Sequence, residues 1–215
     1  MIFLNRSEAG RLLAERLVEL DLGDPIVYAL PRGGVPVAVE IARMLAAPLD
    51  LLIVRKIGAP GFPELALGAV VGGAAPQLIV NDDVYAATGS DAANLERTRR
   101  SELDEIARRR KQYLGDRPLQ DPAGRVAIVV DDGIATGATA KAALAALRAR
   151  GAATTVLAAP VAPARAVDDL KAEADVVVVL HAPDEFWAIG QFYRDFHQLS
   201  DAETVNYLRT TWDTE

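Results

Sequence analysis

Twelve consecutive residues carry the strongest chemical signal in the chain: Ile128-Val129-Val130-Asp131-Asp132-Gly133-Ile134-Ala135-Thr136-Gly137-Ala138-Thr139. Three β-branched apolar residues run into two adjacent carboxylates, then a loop of small residues, then the helix-forming run Ala140 to Arg150. A strand that ends in a small-residue loop at a helix start turns backbone N–H groups outward, where they and the helix dipole can hold a phosphate. An acidic pair on the same rim repels phosphate and suits sugar hydroxyls or a hydrated magnesium ion instead. Both carboxylates are expected to face solvent and to contribute little to packing. Asp-Asp-Gly alone is an ordinary turn, because Asp and Gly tolerate turn backbone angles; the ordered strand, loop and helix favour a phosphate cradle. A Walker loop would need Lys directly before its final Ser or Thr, whereas Lys141 follows Thr139.

Three further loops follow apolar runs. In Ala29-Leu30-Pro31-Arg32-Gly33-Gly34-Val35-Pro36, Arg32 offers a planar fork for phosphate oxygens, Gly33 and Gly34 allow close backbone approach to an anion, and Pro36 favours a helix start. In Val54-Arg55-Lys56-Ile57-Gly58-Ala59-Pro60-Gly61, two cations precede a Gly- and Pro-rich stretch that reads as a mobile cover. Glu64 in this stretch is a candidate base by chemistry. The segment His181 to Gly190 contains adjacent aromatics, Phe186 and Trp187, which either stack a planar base or close the core.

Together these stretches resemble the type I phosphoribosyltransferases over about Pro25 to Gln191. The resemblance implies 5-phosphoribosyl 1-pyrophosphate as donor, Mg2+ as cofactor, pyrophosphate release, and an unidentified base-like acceptor. It places Asp131 and Asp132 at the ribose hydroxyls and wraps Ala135, Thr136, Gly137, Ala138 and Thr139 around the 5-phosphate. It gives Arg32, Gly33, Gly34, Arg55 and Lys56 to pyrophosphate, sometimes with a cis peptide in the Arg32 loop, and Phe186 or Trp187 to the base. Asp131, Asp132, Arg32 and Lys56 form the implied catalytic set, with magnesium held mainly through substrate near the two acids. The closest match is a poorly characterised branch of predicted phosphoribosyltransferases.

The chain departs from the family pattern at several positions. Gly133 stands where an apolar side chain is usual, which is expected to loosen the loop's anchor. Ala135 replaces the Asp that 6-oxopurine enzymes place near the base, which leans towards an adenine-like or unfamiliar acceptor. The lid lacks the tyrosine and acid of adenine-type enzymes, and the interval from Gly190 to Arg194 is short. Some proteins of this fold act instead as non-catalytic sensors of the donor or of nucleotides, binding RNA or protein, and that alternative stays open.

The elements that position these loops follow from apolar patterning. Runs at Ile26 to Leu30, Leu49 to Val54, Leu78 to Val80, Val126 to Val130, Thr154 to Ala158 and Val176 to Leu180 lack alternation, as do strands buried on both faces. Helices are predicted at Ser7 to Glu19, Val35 to Ala46, Thr139 to Arg150 and Pro163 to Ala174, the third closed by Gly151. The expectation is one α/β domain, a doubly wound and mainly parallel sheet flanked by helices, with a small hood from 1–24 and 181–215. A long helical insertion is predicted over about 84–115, helical from about Asp91 to Leu114. Its thin apolar stripe, Leu95, Leu103, Ile106 and Leu114, is interleaved with arginines and acids and reads as a solvated face of i,i+4 pairs; a homodimer contact there is left open.

Composition sets the outer limits. The chain has 215 residues, 51% apolar and 25% charged, which suits a soluble domain with a sizeable core. The absence of cysteine and the presence of only His181 and His197 exclude thiolate metal sites and disfavour structural zinc. A net charge of −7 argues against nucleic acid as partner. No signal peptide or membrane span is legible, so a cytoplasmic protein is expected.

Overall fold

The computed structural model describes residues 1–59, 61–88 and 91–212, with the side chains of residues 63, 64, 66 and 212 outside that description. The side chain of Glu64, the candidate base, and Pro60 of the expected cover therefore lie outside the described residues. In chain order the first half contains α1 (Arg6–Val18), β1 (Pro25–Ala29), α2 (Gly34–Leu45), β2 (Leu49–Leu51), β3 (Val54–Ala59), β4 (Phe62–Val71), β5 (Gln77–Val80) and α3 (Asp82–Thr88). The second half contains α4 (Ala92–Leu114), β6 (Val126–Val130), α5 (Ala138–Ala149), β7 (Thr154–Val161), α6 (Ala164–Lys171), β8 (Val176–His181) and α7 (Asp201–Trp212).

The central sheet has the order β2-β1-β6-β7-β8 with every pair parallel. Its uninterrupted apolar runs have a direct cause, because successive side chains point to opposite faces and both faces are covered. Val27, Ala29, Ile128, Val130 and Val156 share one core with α1 and α2. Ile26, Tyr28, Val129 and Leu157 share a second core with α5 and α6. This is the doubly wound parallel sheet expected from the sequence. From β1 the chain runs outward to β2 on one side, while β6 to β8 extend on the other. The strand order thus reverses between β1 and β6, where open sheets of this kind form a crevice at the carboxyl ends.

Two strand predictions need correction. The run Leu49 to Val54 divides between β2 and β3, which belong to different sheets, and Leu78 to Val80 lies in β5 of a separate antiparallel sheet, β3-β4-β5. The expected mobile cover after Lys56 is therefore largely a β-hairpin. Ile57, Leu67 and Val70 bury their side chains in the main core. A Cβ on Gly68 would overlap the Ile79 carbonyl, so glycine permits the close β4–β5 approach.

Helix α4 keeps the predicted charged face. Glu96 pairs with Arg99 and Arg100, and Glu105 with Arg108 and Arg109, while Ile106, Tyr113 and Leu114 are buried. Two ion pairs fasten it to the sheets: Arg110 to buried Asp50 at 2.6 Å and Arg55 to Glu102 at 2.6 Å. Helix α3 falls at the start of the expected helical insertion, and α7 has no counterpart among the predicted helices. The start of α7 carries a readable signal, since the Ser200 and Glu203 side chains each accept from the other's backbone N–H at 3.2 and 2.8 Å. At the opposite terminus, Phe3 and Leu4 hydrogen-bond along residues 192–195, and Phe3 packs with Phe192, Tyr193 and Val161.

Candidate active site

The two loops with anion chemistry leave the adjacent ends of β1 and β6, at the reversal of strand order. After β6, the loop passes Asp131 and Asp132 and enters α5 through Gly137, which has φ 76° and supplies no side-chain cap. The first N–H groups of α5 have no intrahelical partner and carry the positive end of its dipole. They border a cavity of about 170 Å³ lined by residues 133–140, Asp131, Lys56 and Ile189. Thr136 and Ala138 are exposed at its mouth. Ala135, Thr136, Gly137, Ala138, Thr139 and the cation Lys56 thus line one cavity.

Arg55 is not part of this wall. Neighbouring residues of a strand point to opposite sides, and Arg55 turns to α4, where its Nε donates to Glu102 Oε2 at 2.6 Å. The structure thus separates Arg55, expected at the pyrophosphate, from Lys56: the Arg55 guanidinium braces the helix.

The two acids differ from the sequence expectation and from each other. Asp131 is half-buried on the phosphate-loop cavity, and its Oδ1 accepts from the Asp132 backbone N–H at 2.9 Å. Asp132 is buried, and its Oδ2 accepts from Arg6 Nε of α1 at 2.7 Å. The backbone carbonyl of Asp132 accepts from the Tyr193 hydroxyl at 2.6 Å. The solvent-facing pair expected from sequence is therefore one cavity-wall carboxylate and one interior ion pair. Loss of hydration pushes the Asp131 carboxyl well above the usual range, and the neighbouring Asp132 charge adds to this. Burial also raises Asp132, while the Arg6 hydrogen bond and charge oppose the rise.

Asp132 lines a second cavity, of about 340 Å³, with Arg6, Arg32, Gly33, Phe196, Gln198 and Leu199. The Pro31–Arg32 peptide is cis, the feature that the family resemblance attaches to this loop. Arg32 lies 3.7 Å from Asp201 Oδ1 at the start of α7, and Asp201 also accepts from the Tyr113 hydroxyl of α4 at 2.6 Å. Burial, followed by that hydrogen bond, pushes the Tyr113 phenol up to about 12. A Cβ on Gly33 would overlap the Asp132 carboxylate, and one on Gly34 would stand 2.5 Å from the Val130 carbonyl. The glycine pair is required by loop-to-strand packing as well as by any anion.

Gly133 does not loosen the loop. A Cβ there would meet Ile189 Cγ2 at 2.5 Å, so Ile189 and Val161 occupy the space that a larger residue would claim. From the aromatic segment it is Ile189 that reaches the phosphate-loop cavity. Phe186 packs on Phe192 with ring centroids 5.4 Å apart, and Trp187 is 88% exposed; neither lines either cavity. Arg6, Ile189 and Phe196 are the site residues that the sequence reading missed. For Arg6 a local signal exists: Asn5 caps α1 by accepting from the Glu8 backbone N–H at 2.9 Å, which places Arg6 at the first helical position. Its partner, remote in sequence, is not readable from that spacing.

Comparison with known proteins bears on the fold and the family. A family model described as the phosphoribosyl transferase domain matches residues 4–197, and the chain belongs to that family. Its central parallel sheet with flanking helices is the architecture that the family resemblance implied. The chain is 48% identical over 207 residues to a Mycobacterium tuberculosis (strain H37Rv) protein named "Putative phosphoribosyl transferase Rv0571c", covering 96% of this chain and 46% of that protein. It therefore spans about half the length of that relative. The crystal structure of TT1426 from Thermus thermophilus is similar at 44% identity with a TM-score of 0.84, covering 97% of this chain and 98% of that one.

Proposed function

We propose that this domain is a phosphoribosyltransferase that takes 5-phosphoribosyl 1-pyrophosphate as donor and releases pyrophosphate as a nucleophile attacks the ribose anomeric carbon. The observation that carries the reading is the shared cavity of the uncapped α5 N-terminus, Lys56 and Asp131. Phosphate-binding N–H groups, a cation and a hydroxyl-accepting carboxylate are the complement of a phosphorylated sugar with an anionic leaving group. In this reading residues 135–139 anchor the 5-phosphate, far from the reacting bond, and hold the sugar still. Asp131 and Asp132 orient the ribose hydroxyls, which holds the anomeric carbon in place as the bond to pyrophosphate breaks. Lys56, Arg32 and the Gly33 backbone stabilise the departing pyrophosphate.

Magnesium fits this donor chemistry, because a hard cation takes oxygen ligands and keeps several waters. It would be carried mainly on the oxygens of the substrate, beside Asp131. When bound, it supplies charge withdrawal from the leaving group. The acceptor is a base-like nucleophile that enters past Ile189, with no carboxylate at Ala135 to take its proton.

The test is turnover. The protein is incubated with magnesium, the donor and a panel of purine, pyrimidine and pyridine bases, and pyrophosphate release is followed. Release dependent on one acceptor class is expected. Donor binding without release for every acceptor would overturn the enzymatic reading and leave a donor-sensing protein.

A further inference from the structure

Arg6 occupies a position that helix electrostatics disfavour. It is the first residue of α1, next to the cap Asn5, where the helix dipole repels a cation, and it is nevertheless buried. Three contacts fix it. Nε donates to Asp132 Oδ2 at 2.7 Å, Nη1 donates to the His197 carbonyl at 3.0 Å, and the guanidinium lies 3.9 Å from the centre of the Phe196 ring. An ion pair serving stability alone is commonly matched or bettered by packed apolar residues. This one instead sits on the wall of the cavity shared with Arg32 and Gly33. A Cβ on Gly33 would overlap the same carboxylate oxygen, so there is no room for a side chain there.

We propose that Arg6 is a positioning residue of the site, holding the Asp132 carboxylate against Gly33 while fastening the C-terminal segment at His197 over the same cavity. The proposal rests on the donor-binding reading given above. Arg6 acts through Asp132. A planar guanidinium is needed because one group must meet a carboxylate and a carbonyl at once while stacking on a ring, which a point ammonium cannot do. The N-terminal helix thereby becomes part of the site, although the motif-bearing loops all follow it in sequence.

The experiment measures equilibrium binding of magnesium phosphoribosyl pyrophosphate to the full chain and to the variants Arg6→Ala, Arg6→Lys, Asp132→Asn and the double variant Arg6→Ala/Asp132→Asn. Arg6→Ala and Asp132→Asn are each expected to weaken binding about tenfold, and the double variant to bind within about twofold of Asp132→Asn. Methylguanidinium at millimolar concentration should restore binding to Arg6→Ala and leave Asp132→Asn unchanged, a response that a purely structural role would not give. Arg6→Lys keeps a cation in the interior and reports on the same contacts should the alanine variant fail to fold; binding like that of the parent chain would overturn the proposal. So would equal losses from Arg6→Ala in both backgrounds. If Asp132→Asn itself binds the donor as the parent does, the failure lies in the ribose assignment; if it binds weakly while Arg6→Ala or Arg6→Lys binds normally, the failure lies with Arg6 alone.

Discussion

Asp131 and Asp132 are neighbours in sequence with different surroundings, and stability should separate them. Asp132 is neutralised by Arg6 in the interior. Removing it with Asp132→Ala strands a buried cation and is expected to lower stability by about 3 kcal/mol. Asp131 has a carboxyl that the fold holds well above its ordinary pKa, chiefly through lost hydration and next through Asp132. A group with a raised folded-state pKa favours the native state while protonated and loses that contribution as the pH rises through the raised value. Asp131→Asn should therefore gain stability relative to the parent as the pH rises from about 4 towards neutrality. Thermal denaturation of both proteins across that range checks this, and a gap that does not change with pH would contradict it. The sequence identified both carboxylates as chemically important. It concealed their difference, because that depends on Arg6 and Tyr193, which come from other parts of the chain.

The β1–α2 and β6–α5 loops function as one packed unit. Gly34 lies against the Val130 backbone and Gly33 against the Asp132 carboxylate. Backbone at a strand end cannot yield as a side chain can, so the two alanine substitutions should differ. Gly34→Ala is expected to cost about 3 kcal/mol by overpacking, read as a fall in Tm. Gly33→Ala should melt closer to the parent and bind the donor about tenfold more weakly, because the carboxylate must move. Equal melting losses with unaltered binding would count against this division. These loops were legible because their residue types are local: small residues, a fork-shaped cation and acids at strand ends. The hairpin after Lys56 was not. Gly58, Gly61 and Gly68 resemble the punctuation of a loop, whereas Gly68 serves strand approach and Ile57, Leu67 and Val70 complete the core. Similarly, α7 shows weak apolar patterning, and its Ser200 and Glu203 cap was the better signal.

At the scale of the whole molecule, the order β2-β1-β6-β7-β8 brings two distant loops side by side and opens the crevice between them. Apolar runs sufficed to predict a parallel sheet covered on both faces. They do not show how the segments expected to form the hood pair with each other: residues 3–4 hydrogen-bond along residues 192–195, and contacts of that range leave no periodic trace in sequence. Among the described residues, no helix is long and apolar enough to cross a membrane. In the reading proposed above, the crevice receives a phosphoribosyl donor with its ends in fixed places. A crystal structure with magnesium phosphoribosyl pyrophosphate is the decisive measurement. The 5-phosphate is expected on the backbone N–H groups of residues 136–139, the ribose hydroxyls at Asp131 and Asp132, and the pyrophosphate between Lys56 and Arg32. A donor bound with its 5-phosphate away from the α5 N-terminus, or with its ribose out of reach of both carboxylates, would contradict it.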